Sequence, residues 1–140
     1  MCCSSKKRNK TCRAEELYYP STLFRCTLNY LKQTHLGFEE IYILSAKYGL
    51  LRLDDVIEPY NSYLPDFTKN EYKIWVNKVT EQLSNLPISE AHFYTSLSYD
   101  KDLILTLEER EVRCERHLSG LGIGQKVHWL QQNTKKKGLF

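Results

Sequence analysis

A thiol turns nucleophilic where neighbouring cations favour its ionised form, and Cys3 has Lys6 and Lys7 within four residues of it. Ser4, Tyr18 and Ser21 lie nearby in sequence. A second segment, Ser45-Ala46-Lys47-Tyr48-Gly49, sets a hydroxyl, an ammonium, a phenol and a glycine in one short run. Serine and glycine let a backbone approach a ligand closely, and lysine supplies a partner for a phosphate or an oxyanion. Glu58-Pro59-Tyr60-Asn61 follows as a polar and aromatic patch with its backbone stiffened by proline. Towards the end, Gly120, Gly122 and Gly124 crowd the run before Gln125, where a glycine-rich turn entering a helix could offer backbone N–H groups to an anion. That run lacks the G-K-[ST] of a Walker loop and the spacing of G-x-G-x-x-G. Each segment also has a plain structural alternative: a small cysteine, a polar surface loop, a tight turn.

These residues need elements to position them. Apolar spacing gives a helix over 21–35 carrying Phe24, Leu28 and Leu31 on one face, with Ser21 as N-cap and Gly37 as terminator. Residues 40–46 form a short apolar run suited to a strand buried on both faces, with 40–45 expected to be the most buried strand. A helix follows over 70–86, ending before Pro87, then a strand at 90–96, a helix at 98–109, a more exposed strand at 111–115 and a helix at 123–132 carrying Ile123, Val127 and Leu130 on one face. The alternation implies an α/β fold, a three-layer sandwich around a small, mostly parallel sheet. Ligands of such folds gather outside the carboxyl ends of strands, here 45–64, 95–98 and 115–125. Ser45, Lys47, Tyr48, Glu58, Tyr60 and the 120–125 turn are therefore expected to converge on one pocket.

A chain of 140 residues, 41% of them hydrophobic, is read as one domain over 1–140 that folds without disulfides or metal. The five cysteines have no framework spacing and no C-x-x-C pair, and Cys2, Cys3 and Cys12 have no histidine near them in sequence; reduced thiols and no metal are expected. No apolar run is long enough to span a bilayer, and the first residues carry charge without an apolar core, so no membrane association and a cytoplasmic location are the expectation. The net charge of +3 is uneven. Lys6, Lys7, Arg8, Lys10 and Arg13 make 1–13 basic, Lys135, Lys136 and Lys137 make the tail 134–140 basic, and 14–133 is left at −5 once those eight charges are removed from +3. Clustered cations attract phosphates, which favours a nucleotide or DNA as partner; a protein partner is also open, and the oligomeric state is not set by the sequence.

Taken together, Cys3, Ser4 and Lys7 (C-S-x-x-K), then Glu16-Leu17-Tyr18, then Ser21, Leu23 and Phe24 (S-x-L-F), resemble the start of a family of small bacterial and phage α/β proteins labelled a domain of unknown function. Further matches are Ile43 to Leu50 (I-L-S-A-K-Y-G-L), Ile57, Pro59 and Tyr60 (I-x-P-Y), and Gly120 to Gln125 (G-L-G-I-G-Q), so the resemblance runs from Cys3 to about Gln132. The family looks distantly similar to YaaA-like peroxide-stress proteins and to DpdC-type proteins of 7-deazaguanine DNA modification. The second likeness implies conversion of a nitrile on a modified guanine to an amide, with no cofactor. Members usually carry an apolar strand before C-S-x-x-K; here only Met1 and Cys2 precede it, so the first strand reads as missing or reduced to a stub.

On that footing Cys3 would be the nucleophile, Lys47 or Lys7 would oppose negative charge on nitrogen, and Glu58 would be the general base. Tyr48 or Tyr60 would stack on the base. Ser4, Lys7, Tyr18, Ser21, Ser45, Tyr48, Gly49, Tyr60, Gly120, Gly122, Gly124 and Gln125 make up the expected substrate-binding set. The alternative class is a non-catalytic nucleotide- or DNA-binding module built on the same pocket, and the third is a small partner protein within a larger complex.

Overall fold

The computed structural model describes residues 1–34 and 40–138, and helices and short strands alternate along it. The elements are β1 (Cys12–Arg13), α1 (Ala14–Leu17), α2 (Thr22–Lys32), β2 (Tyr42–Ser45), β3 (Gly49–Arg52), β4 (Val56–Ile57), α3 (Lys69–Ser84), β5 (Glu90–Phe93), α4 (Leu97–Glu109), β6 (Arg113–Arg116) and α5 (Ile123–Gly138). A 3-10 turn over Leu64–Asp66 leads into α3. The chain is thus a mixed α/β protein with small sheets.

Local chemistry explains the helix ends. Ser21 caps α2 by accepting a hydrogen bond from the Phe24 N–H at 3.2 Å. Phe24, Leu28 and Leu31 are buried on the expected face. Gly37 and the end of the expected helix from His35 lie outside the described residues. At α3 a reciprocal capping box forms: Thr68 Oγ1 accepts from the Glu71 N–H at 3.1 Å, and Glu71 Oε1 accepts from the Thr68 N–H at 2.9 Å. The helix ends at Ser84, two residues before the one that Pro87 restricts. In α5, Leu130 is fully buried but Ile123 is 70% exposed, so the apolar face expected there starts a turn later. Tyr30 of α2 meets Trp129 of α5 edge-on at 5.2 Å, where the two helices pack.

Ile43, Leu44 and Ser45 of β2 are all buried, in keeping with an apolar run that has no polar face. What the sequence did not disclose is the next strand. Residues 49–52, expected in a ligand loop, turn back as β3 and pair antiparallel with β2 from Tyr42↔Arg52 to Ser45↔Gly49. Gly49 closes this tight turn at φ +76°, and a Cβ there would stand 2.5 Å from Gln82 Oε1. That oxygen is occupied, because it accepts the Leu50 N–H at 2.8 Å. β1 and β4 form a second antiparallel pair, Cys12↔Ile57 and Arg13↔Val56. β5 and β6 are parallel, in register from Glu90↔Arg113 to Phe93↔Arg116.

The chain's first residues are held firmly. The Leu44 N–H donates to the Met1 carbonyl at 2.7 Å, the Cys3 N–H donates to the Leu44 carbonyl at 3.0 Å, and Cys2 bridges Leu44 in the parallel sense. The Met1 ammonium donates to the Tyr42 carbonyl at 2.7 Å, and its burial lowers its pKa. The free edge of β2 leaves backbone groups that need partners, and three residues suffice to supply them. Residues 1–3 thus lie along β2 as a short parallel stub.

Candidate functional site

A cavity of about 800 Å³ opens beside that stub. Cys3, Ser4, Lys6 and Lys7 form one side of it. Ser21 to Phe24, the N-terminal end of α2, form another, and Asn61, Tyr63 and Pro65 a third. The far side is built where β5 and β6 end, from Tyr94, Thr95, Ser96 and Tyr99, then His117 and Leu118, with Ile123 and Lys126 from the start of α5. The cavity thus lies at the carboxyl ends of the parallel strands, where folds of this class hold ligands.

Three lysines line it (Lys6, Lys7 and Lys126), and among the described residues no carboxylate does. The positive end of the α2 dipole adds to this field. Lys7 Nζ sits 4.4 Å from the centroid of the Tyr60 ring. Partial burial lowers the Lys7 pKa, while the neighbouring Cys3 acts to raise it. The Cys3 thiol donates to the Tyr99 hydroxyl at 3.4 Å. Burial pushes the Tyr99 phenol well above its ordinary range, with Cys3 and Cys2 adding to the shift. Cys2 is different in kind: its sulfur accepts the Ser96 N–H at 3.4 Å, and burial raises its pKa to about 12, which keeps it a neutral thiol. Leu118 adopts a positive φ of 61° at the cavity wall. A branched side chain at that φ costs conformational energy.

Beneath the cavity runs a chain of buried hydroxyls. Ser45 Oγ donates to the Tyr60 hydroxyl at 2.8 Å, and the Tyr60 and Tyr18 hydroxyls share a 2.6 Å hydrogen bond. Desolvation raises both phenol pKa values far enough to hold them protonated. Behind the far wall, Asp100 of α4 is fully buried. It accepts Thr95 Oγ1 at 2.7 Å, Arg116 Nε at 3.1 Å and Arg116 Nη2 at 2.9 Å. This clamp ties the end of β5, the start of α4 and the end of β6 together.

The residues singled out in the sequence divide into three groups. Cys3, Ser4, Lys7 and Ser21 stand on the cavity wall. Tyr18, Ser45 and Tyr60 form the buried hydroxyl chain behind it, with Tyr48 edge-on to Tyr60 at 5.6 Å and Gly49 in the turn of the hairpin. Lys47 and Glu58 do not reach the cavity wall. Lys47 is exposed with its Nζ 5.2 Å from the Tyr48 ring, and exposed Glu58 meets the Tyr48 hydroxyl through its backbone. The reason is the β2–β3 turn, which carries Ala46 to Tyr48 away to the α3 side, where the Lys47 carbonyl accepts Lys78 Nζ at 3.2 Å. Gly120, Gly122, Gly124 and Gln125 also lie outside the cavity. The Gly122 N–H is taken by the Gln125 side chain at 2.9 Å, and Gly124 and Gln125 border a separate shallow groove with His128 and Trp129. The expected single pocket uniting Lys47 with the 120–125 turn is not the arrangement seen; Ile123 alone of that turn lines the cavity.

Lys6 and Asn61, noted beside Cys3 and in the 58–61 patch, also line the cavity, and Tyr94, Thr95, Tyr99, His117 and Lys126 line it without having been named. For Thr95 and His117 a signal existed, since each directly follows a strand. Tyr99 and Lys126 lie one turn into helices, where nothing in the sequence tells an inward residue from an outward one.

Fold and site together define an α/β chain with a cationic, carboxylate-free cavity at its strand ends. The model of the Family of unknown function (DUF6884) matches residues 1–132, so the chain belongs to that family. No curated protein and no solved structure matches it.

Proposed function

We propose that the cavity binds a purine nucleotide, free or at the end of a nucleic acid, with its phosphate against Lys6, Lys7 and the N-terminal end of α2 and its base towards Tyr63, Tyr94 and His117. The supporting observation is the lining itself: three lysines, a helix N-terminus, aromatic rings and no described acid in one concavity. A three-layer sandwich around these strands belongs to this reading, and the parallel β5–β6 pair and the parallel Cys2–Leu44 bridge support it. The test is a calorimetric titration with GMP and with guanosine. Lys7→Ala is expected to weaken GMP binding about tenfold or more, the scale of one charge-assisted hydrogen bond, to leave guanosine binding nearly unchanged, and to flatten the salt dependence of the GMP affinity. Equal loss for both ligands, or no loss, overturns the phosphate assignment.

The placement of Cys3 favours a second reading, hydration of a nitrile on a 7-cyano-7-deazaguanine nucleotide. The Cys3 sulfur adds to the nitrile carbon while a proton passes to nitrogen, giving a thioimidate. Water then adds to that carbon, and the tetrahedral adduct expels the thiolate to leave the amide. The Tyr99 hydroxyl, kept protonated by burial, donates to the sulfur once it ionises. Lys7 rather than Lys47 faces the developing charge, because Lys7 shares the cavity with Cys3. Cys3→Ala is expected to abolish formation of the amide, followed by mass spectrometry, while nucleotide affinity changes less than about threefold. Amide formation that persists in this variant rules out the thioimidate route.

A further inference from the structure

On the exposed side of the parallel β5–β6 pair, at the edge of the nucleotide cavity, four side chains meet, of which the reading above uses His117 alone. His92 and Glu115 are register partners across the two strands, and His117 follows Glu115 by two residues. Such spacing returns a side chain to the same face of an extended chain. His92 Nδ1 lies 2.8 Å from His117 Nε2 and 3.2 Å from Glu115 Oε2, and His117 Nε2 lies 3.7 Å from that same oxygen. Three donor atoms therefore surround one small volume. The separations bracket the roughly 3.3 Å edge of a tetrahedron with metal–ligand bonds of about 2.0–2.1 Å.

The 2.8 Å contact between the two rings serves as a hydrogen bond when no ion is bound, and the surroundings also suit a ligand set. Glu90 Oε1 lies 2.7 Å from His92 Nε2, so it takes the Nε2–H and leaves the Nδ1 lone pair aimed at the shared volume. A carboxylate on the far nitrogen is the usual partner of a metal-binding histidine. Glu115 is treated likewise: Arg113 Nη2 holds its Oε1 at 3.2 Å, which leaves Oε2 towards the histidines. Tyr94 stacks on His117 with ring centroids 4.5 Å apart and an interplanar angle of 4°, fixing the ring. Two imidazole nitrogens pointed at each other and at a carboxylate are the geometry a shared cation requires.

We propose that His92, Glu115 and His117 bind a divalent transition-metal ion, zinc by the chemistry of two imidazoles and one carboxylate. Three protein ligands leave a coordination position for water or a bound molecule. His117 also lines the nucleotide cavity, so the ion sits at its rim. The proposal does not depend on the nucleotide reading.

The experiment uses the full chain, freed of metal by chelator and titrated with Zn²⁺ by calorimetry and with Co²⁺ by visible absorption. One equivalent is expected, with the d–d bands of tetrahedral cobalt and no thiolate-to-cobalt charge-transfer band. His92→Ala and His117→Ala are each expected to weaken Zn²⁺ binding by more than about a hundredfold, and Glu90→Gln by about ten- to a hundredfold. Circular dichroism checks the fold of each variant, and Lys69→Ala, on a distant exposed site, controls for surface effects. Zn²⁺ binding that is absent, that survives both histidine substitutions, or that shows a sulfur charge-transfer band overturns the proposal.

Discussion

Asp100→Ala is expected to destabilise the protein by about 3 kcal/mol, because it removes three hydrogen bonds to a fully buried carboxylate, two of them charge-assisted. For a chain of this size that lowers Tm by about 10 °C. Asp100 has no exposed surface, and all three of its described contacts are charge-assisted or buried: the Thr95 hydroxyl and two nitrogens of Arg116. Alanine leaves the buried Thr95 without this acceptor and the Arg116 guanidinium, whose side chain is 33% exposed, without this counter-charge. Arg116→Ala is expected to destabilise as well, and the double variant to lose less than the two single losses added, since each single change already breaks the shared contact. Urea unfolding of the four chains measures this. Strict additivity, or a loss below about 1 kcal/mol for Asp100→Ala, means that the clamp does not hold β5, α4 and β6 together. Thr95 also lines the cavity, so the same variant should weaken nucleotide binding at temperatures where it is still folded.

The sequence made β2, the four longer helices and the β5–β6 strands legible through periodicity, since burial on one face or on both leaves a regular trace in residue type. It did not make β3 legible. Gly49 to Arg52 is too short to show a period, and Ser-x-Lys-Tyr-Gly carries as much sense as a ligand loop as it does as a turn. Only the pairing with β2 decides, and pairing is a long-range fact. The anchoring of Cys3 was hidden for a related reason: three residues have no pattern, yet they complete the hydrogen bonding of a strand edge. Cys3, Ser4, Lys7 and Ser21 could be found because chemistry and location coincided within one segment. Lys47 and Glu58 carried suitable chemistry, but Lys47 sits in the β2–β3 turn and Glu58 is an exposed residue just after β4. His92 and His117 are 25 residues apart in sequence and adjoin only through the parallel register of β5 with β6, so neither resembles a metal ligand when the sequence is read along its length.

Trp75→Ala is expected to cost about 3–5 kcal/mol, the usual range for emptying the site of a buried aromatic ring. Trp75 of α3 is 3% exposed and joins three parts of the protein. Its Nε1–H donates to the Ser45 carbonyl at 2.9 Å, next to the hydroxyl chain. Its ring stacks on Tyr72 at 6.1 Å and meets Tyr99 edge-on at 5.8 Å, so it braces the ring whose hydroxyl contacts Cys3. Trp75→Phe separates the two contributions. It keeps most of the packing but leaves the buried Ser45 carbonyl without this donor, a change worth about 1–3 kcal/mol. The fall in urea midpoint should therefore be clear for phenylalanine and larger for alanine, with the slope of the unfolding curve unchanged for phenylalanine. A phenylalanine variant as stable as the parent would show that the Ser45 contact contributes nothing. The loosened Tyr99 should also be visible at the cavity: brief alkylation followed by mass spectrometry is expected to label Cys3 at a different rate in Trp75→Phe than in the parent chain. Cys26, on α2 away from Tyr99, should keep its rate, because a change shared by both cysteines would report general unfolding and not the loss of the brace.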